Sequence, residues 1–219
     1  MKRILIFSLL ILSLESFGQT QTLKKKTVVV KFSPLCLVDP NYPAIQFGAE
    51  FRINNSLSYQ QELGYITRDI YKNPSDTITS GKGFKIRGEI RKYALIDRED
   101  ANMDGLYTAI EVFYTYTYFY RQGTFIGDQG DECKDIYKVN KHVIGMNGKI
   151  GYQKIFSSGI TIDIYIGIGA KYRKITHLEK DCDSKTIKYH ADYLFAGAEM
   201  EGEKIVPNIP MSIKFGYAF

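Results

Sequence analysis

The chain has 219 residues with 17 Tyr, 13 Phe, 19 Gly and no Trp, and its formal net charge is +5. That length suits one domain, and so small a positive balance argues against nucleic acid as a partner; weak attraction to anionic lipid head groups is its more natural use. No segment approaches 18 continuous apolar residues, which excludes a transmembrane helix and leaves a soluble exported protein or a β-barrel.

Lys2 and Arg3 precede the apolar run Ile4 to Leu14, and Ser16-Phe17-Gly18 supplies small residues for cleavage before Gln19. This pattern predicts a secretory signal over residues 1–18 and a mature domain over 19–219. No cysteine directly follows the apolar run, so no lipid attachment is expected there.

The strands come next, in chain order. Thr27 to Leu37 is irregular: Val28, Val30 and Phe32 oppose Lys31 and Ser33, and Pro34 interrupts it. Ala44 to Ile53 sets Ile45, Phe47, Phe51 and Ile53 against Gln46, Glu50 and Arg52, and Ser56 to Ile66 sets Leu57, Tyr59, Leu63 and Tyr65 against Gln60 and Glu62. Gly83 to Ala94 opposes Phe84, Ile86 and Ile90 to Lys85, Arg87, Glu89 and Arg91. In Leu106 to Tyr120, Ile110, Val112 and a tyrosine run oppose Tyr107, Glu111 and Phe113; in Val143 to Phe156, Ile144, Met146 and Ile150 oppose Asn147 and Lys149. Gly159 to Arg173 alternates without a break, Ile160 through Ile168 facing away from Asp163, Lys171 and Arg173. Pro210 to Phe219 ends the series, with Met211, Ile213, Phe215, Tyr217 and Phe219 opposite Ser212, Lys214, Gly216 and Ala218. Period-two alternation over such lengths is a strand pattern with one apolar and one polar face.

Connections alternate in length. Asn54-Asn55 and Ser157-Ser158 are tight turns, and Ile96 to Asp104 is moderate; Thr67 to Lys82, Arg121 to Tyr137 and Lys174 to Asn208 read as long loops on the other side, with Asp39 to Pro43 the short exception. Short turns on one side, longer loops on the other and an even strand number are the design of outer-membrane barrels. The predicted fold is therefore all-β, an eight-stranded antiparallel up-and-down transmembrane β-barrel. The polar face would turn inward as a lumenal charge network of Glu50, Arg52, Arg87, Glu89, Arg91, Glu111, Lys149 and Asp163, which braces and plugs so narrow a barrel rather than lining a pore. Tyrosines near strand ends on the apolar face (Tyr59, Tyr65, Tyr118, Tyr120, Tyr152, Tyr172, Tyr217) fit interfacial girdles. Cys36, Cys133 and Cys182 are an odd set for an oxidising compartment; Cys133 and Cys182, both in polar loop-like sequence on the same side, are the first candidates for a disulfide.

The signal segment, the eight alternating strands, the stretch Asp163 to Arg173 and the ending Lys214 to Phe219 resemble the small outer-membrane β-barrel families of Gram-negative bacteria, closest to members that are domains of unknown function. The resemblance covers nearly all of the predicted mature chain. It implies residence in the bacterial outer membrane, contact with its lipid and lipopolysaccharide, and reading of the terminal aromatic strand by the barrel-assembly machinery, with Phe215, Tyr217 and Phe219 at the matching positions.

Two motifs invite chemistry. Asp100-x-Asn102-x-Asp104-Gly105-x5-Glu111 satisfies an EF-hand pattern, but Glu111 sits well into a strand and cannot curl back onto an ion. It reads as an acidic turn followed by a lumenal glutamate. His177 or His190 with Ser184 and Asp192 resembles the makings of a lipid-modifying enzyme, yet no nucleophile motif supports it. The sequence thus predicts a non-enzymatic barrel without cofactor or metal, in a structural or surface-interaction role. The alternatives are a lipid-modifying enzyme on the same barrel or a soluble lipocalin-like binder.

Overall fold

A computed structural model describes residues 26–39, 43–67, 78–94, 103–126, 132–179, 186–187 and 201–219. Ten strands are present among them: β1 Val28–Phe32, β2 Ala44–Arg52, β3 Leu57–Thr67, β4 Ile78–Tyr93, β5 Gly105–Ile126, β6 Glu132–Ile155, β7 Ile160–Leu178, β8 Thr186–Ile187, β9 Gly202–Asn208 and β10 Met211–Ala218. β1 to β7 pair each with the next, all antiparallel, and β10 lies between β7 and β1. That last strand closes the sheet on itself. β9 and β10 together form the eighth stave of the barrel, since both follow β7 in one register, from Gly169 opposite Asn208 to Ile166 opposite Met211. The interruption between them is Ile209-Pro210, where the Gly167 amide donates to the Pro210 carbonyl at 2.8 Å. The short β8 pairs with the far end of β5.

Walking from partner to partner, Val30 leads through Ala49, Gln61, Gly88, Val112, Met146 and Ala170 to Pro207, ten residues before Tyr217, the residue that faces Val30 directly. A stagger of that size across eight strands tilts them by about 40°. Neighbouring strands alternate in direction, so every tight turn lies at one end, here the turn end, together with the pairing of Thr27 and Val28 to Phe219. The opposite end is the loop end.

Alternation becomes inside and outside. Glu50, Arg91, Glu111 and Asp163 are fully buried in the lumen, whereas Ile110, Met146, Ile150, Ile166 and Ile168 stand exposed on the outer face. Aromatic rings fill what the charges leave: Tyr93, Tyr107 and Tyr165 pack with Val29, Met103 and Ala109, and Phe119, Tyr137, Val139 and Ile175 form a second cluster near the loop end. Gly151 makes room for this filling, because a Cβ there would lie 2.4 Å from the Tyr107 ring. Gly159 completes the tight turn into β7 with φ of +92°, a conformation side chains with a Cβ avoid.

Several element limits differ from the sequence expectation. β1 stops at Phe32 and the chain turns through a short 3-10 segment, Pro34–Cys36, because proline has no N–H to continue the ladder. The expected loops Thr67 to Lys82, Arg121 to Tyr137 and Lys174 to Asn208 carry strand at their described ends: β4 begins at Ile78, β5 runs on to Ile126 and β6 starts at Glu132, β7 reaches Leu178, and β9 occupies the end of the last. Beyond the apolar band neither face must be apolar, so the period-two pattern fades while the hydrogen-bond ladder continues.

Candidate functional site

The lumen holds two layers of charge. In the layer nearer the turn end, Lys31 Nζ from β1 donates to Glu50 Oε2 at 2.6 Å, Gln60 Oε1 at 2.8 Å and Asp163 Oδ2 at 2.9 Å, and also to Gln153. Arg91 from β4 donates through Nη1 to Asp163 at 2.8 Å and Glu50 at 3.3 Å and through Nε to Glu89 at 2.6 Å. Its guanidinium lies 4.3 Å from the centre of the Tyr107 ring. Two phenols finish the carboxylates: Tyr93 donates to Glu50 at 2.7 Å and Tyr107 to Asp163 at 2.6 Å.

In the next layer Lys149 from β6 bridges Glu89, at 2.8 Å, and Glu111. Asn147 donates to Glu111 at 2.7 Å, and Arg87 reaches the same carboxylate at 3.5 Å. Lys214 from β10 pairs with Glu62 of β3 across the lumen, and the ammonium groups of Lys149 and Lys214 flank the Tyr165 ring at 4.2 and 4.7 Å. Among the described residues this plug sets Lys31, Arg87, Arg91, Lys149 and Lys214 against Glu50, Glu62, Glu89, Glu111 and Asp163. The charges balance, as they must where water is excluded, because an unpaired ion there costs several kcal/mol.

The structure therefore brings together Glu50, Arg87, Glu89, Arg91, Glu111, Lys149 and Asp163. Arg52 shares their face but is half-buried nearer the turn end, opposite Ser58 and beyond the contacts just described. Lys31, Glu62 and Lys214 belong to the network although only their place on the polar face announced them. Tyr93 and Tyr107 were hidden by their type: aromatic residues on a polar face read as filler, not as hydrogen-bond donors.

Above the plug, toward the loop end, lies a cavity of about 250 Å³. Lys85, Arg87 and Lys171 project into it with one acid, Asp39, and Leu35, Phe113, Val143 and Met211 supply apolar wall. Lys85 holds Asp39 at 3.2 Å and Lys171 holds Asn208 at 3.1 Å.

The remaining motifs fall apart in space. Asp104 accepts Lys154 at 2.9 Å and the Ile155 amide at 3.1 Å, away from Glu111, while Asp100 and Asn102 lie outside the described residues. His177 packs at a tilt against Tyr137 with ring centres 4.9 Å apart, and its backbone amide donates to Glu201 at 3.2 Å. Its imagined companions Ser184, His190 and Asp192 lie outside the described residues. In the exposed extension of the sheet, hydrogen bonding to Lys174 holds the Glu203 carboxyl below its usual value.

Cys133 lies in β6, not in a loop, and is disulfide-bonded; Cys36 carries a free thiol, and Cys182 lies outside the described residues. If the bond is Cys133–Cys182, non-reducing electrophoresis of the purified chain will show a faster band that a Cys182→Ser variant loses. An unchanged mobility in that variant would exclude the pairing. No protein-family model, curated protein or solved structure matches the chain.

Proposed function

We propose that this chain is a small integral outer-membrane β-barrel of non-enzymatic, structural or surface-interaction role, carried by a single observation: the apolar face points out and the charges point in. Phe47, Leu63, Ile90, Ile110, Ile144, Ile166, Ile168 and Phe215 stand exposed around the ring. A water-soluble protein rarely leaves a contiguous apolar surface beyond a few hundred Å², whereas lipid requires such a band. A lipocalin-like binder needs the opposite arrangement, with its apolar residues lining the lumen.

Further support comes from the tyrosines. Tyr59, Tyr152 and Tyr217 face out near the turn end and Tyr65, Tyr118 and Tyr172 near the loop end, as two girdles would. The lumenal plug argues against a pore. Lipopolysaccharide would meet the loop end, and the barrel-assembly machinery would read Phe215, Tyr217 and Phe219 at the turn end.

Fractionation tests the reading. Recovery with the outer membrane, released only by detergent, is expected; recovery in the soluble periplasmic fraction without detergent would end the proposal. Deleting Phe219 is expected to lower the amount of inserted, heat-modifiable barrel in cells. Normal insertion of that variant would remove the assembly-signal role.

A further inference from the structure

Among the described residues, the strand pairing of the barrel wall is incomplete toward the loop end. Because β1 stops at Phe32, the residues of β10 and β9 beyond Phe215 have no β1 ladder beside them, and among the described residues β9 pairs with β7 alone. Ser33 still donates to Gln46 at 3.1 Å, after which the Pro34–Cys36 turn leaves the sheet and packs between β2 and β10. A seam results, bridged by a turn instead of by strand pairing. The break at Ile209-Pro210 lies on its other bank.

The cavity lies directly behind this seam. Its wall is shared by the turn, through Leu35 and Cys36, by the lumen, through Lys85 and Lys171, and by the outward-facing Ile209 and Met211. Side chains of both faces meet in one cavity only where the wall is breached. The charges there are also unlike those of the plug. Among the described residues Lys85 and Lys171 line it with one acid, Asp39, and Arg87, at the border with the plug, reaches Glu111 at 3.5 Å and the Phe113 ring at 5.5 Å while its buried Nε has no hydrogen-bond partner there.

We propose that this cavity binds the oxyanion head of a single-chain amphiphile, whose apolar chain leaves through the seam and lies along the outer face. The ammonium groups of Lys85 and Lys171 supply the charge for the head, with Arg87 behind them. A volume of about 250 Å³ is smaller than the roughly 300–1,000 Å³ of sites that enclose a drug-sized ligand. It suits a phosphate or carboxylate with its first carbons, and the rest must lie outside. Leu35, Ile209 and Met211 offer the chain an apolar path from the cavity to the exposed band.

The path of the chain rests on the membrane reading; head-group recognition does not. Cys36 is a built-in reporter, since it lines the cavity and is free. Purified barrel in neutral maltoside micelles would be alkylated with N-ethylmaleimide, and the peptide carrying Cys36 followed by mass spectrometry. Lysophosphatidate is expected to slow the alkylation, with lysophosphatidylcholine and inorganic phosphate at least about tenfold weaker. Lys171→Gln and the double variant Lys85→Gln/Lys171→Gln are expected to lose that protection by about tenfold or more, and Lys171→Arg and the outward Lys138→Gln to keep it. Gel mobility of the unheated protein reports that each variant is folded.

Equal protection by phosphate would make the site one for free anions and overturn the amphiphile. Equal protection by lysophosphatidylcholine, or none by lysophosphatidate, would overturn the site altogether. A protein that fractionates with membranes yet shows no protection loses the site and keeps its location, so the two failures are separable.

Discussion

Replacing Arg91 by methionine is expected to destabilise the barrel by about 3–5 kcal/mol, the cost of leaving buried ions without their partner. Arg91 holds Asp163, Glu50 and Glu89 at once and is wholly buried. Without it, Lys31 and Lys149 must serve all three acids. Neutralising one of those acids as well, in Arg91→Met/Asp163→Leu, is expected to recover part of the loss, because a buried pair replaced by apolar groups is often nearly neutral. The chain has no tryptophan, so the readout is the urea midpoint of the gel-mobility shift in lipid vesicles, with far-ultraviolet circular dichroism as the second probe. An Arg91→Met barrel as stable as the parent would mean that water reaches these charges and that they do not brace the fold.

The second large effect concerns the other face. Ile164→Arg is expected to cost about 2–4 kcal/mol if the residue meets the lipid midplane. Ile164 faces outward, half-exposed, paired with Tyr152 and Ile213 on its flanking strands. In water the same substitution would relieve an exposed apolar surface and leave stability nearly unchanged. The measurement therefore separates lipid from water around the barrel. Folding into vesicles, followed by the same mobility shift, decides it; an indifferent Ile164→Arg would count heavily against a lipid-facing band.

Residue spacing made the architecture legible. Alternation in Ile160 to Tyr172 or Ile45 to Phe51 names a strand and both its faces, because a period of two has no second reading at that length. The faces expected from spacing agree with the burial found in the strands that were expected. Spacing does not reveal where strands stop once both sides meet polar surroundings. Arg121-Gln122-Gly123-Thr124 continues β5, and Gly202 to Asn208, which contains Pro207, forms β9. A proline there is tolerated because β9 is an edge, a fact of topology and not of local sequence.

The site was legible by residue type and not by partner. That Glu111 would face the lumen follows from parity; that Lys149 and Asn147 would meet it depends on the register between β5 and β6. Lys214 and Glu62 could not be matched from sequence, because the strands that carry them are joined only through the lumen. The seam was hidden for a related reason. It arises from β1 being short relative to its neighbours around the ring, a comparison that exists only once the ring is closed.

Closure also has a consequence in time. Lys31 meets Asp163 across 132 residues of chain, and Lys214 meets Glu62 across 152. Until β10 takes its place between β7 and β1, Lys214 is not delivered to Glu62, Lys31 is not held beside Asp163, and both borders of the sheet stay open. No early fragment can bank stability by folding ahead of the rest. Contacts of such high order make folding slow, and they make it nearly all-or-none. On the membrane reading proposed above, a partner that holds the chain until its last strand arrives is expected to speed assembly.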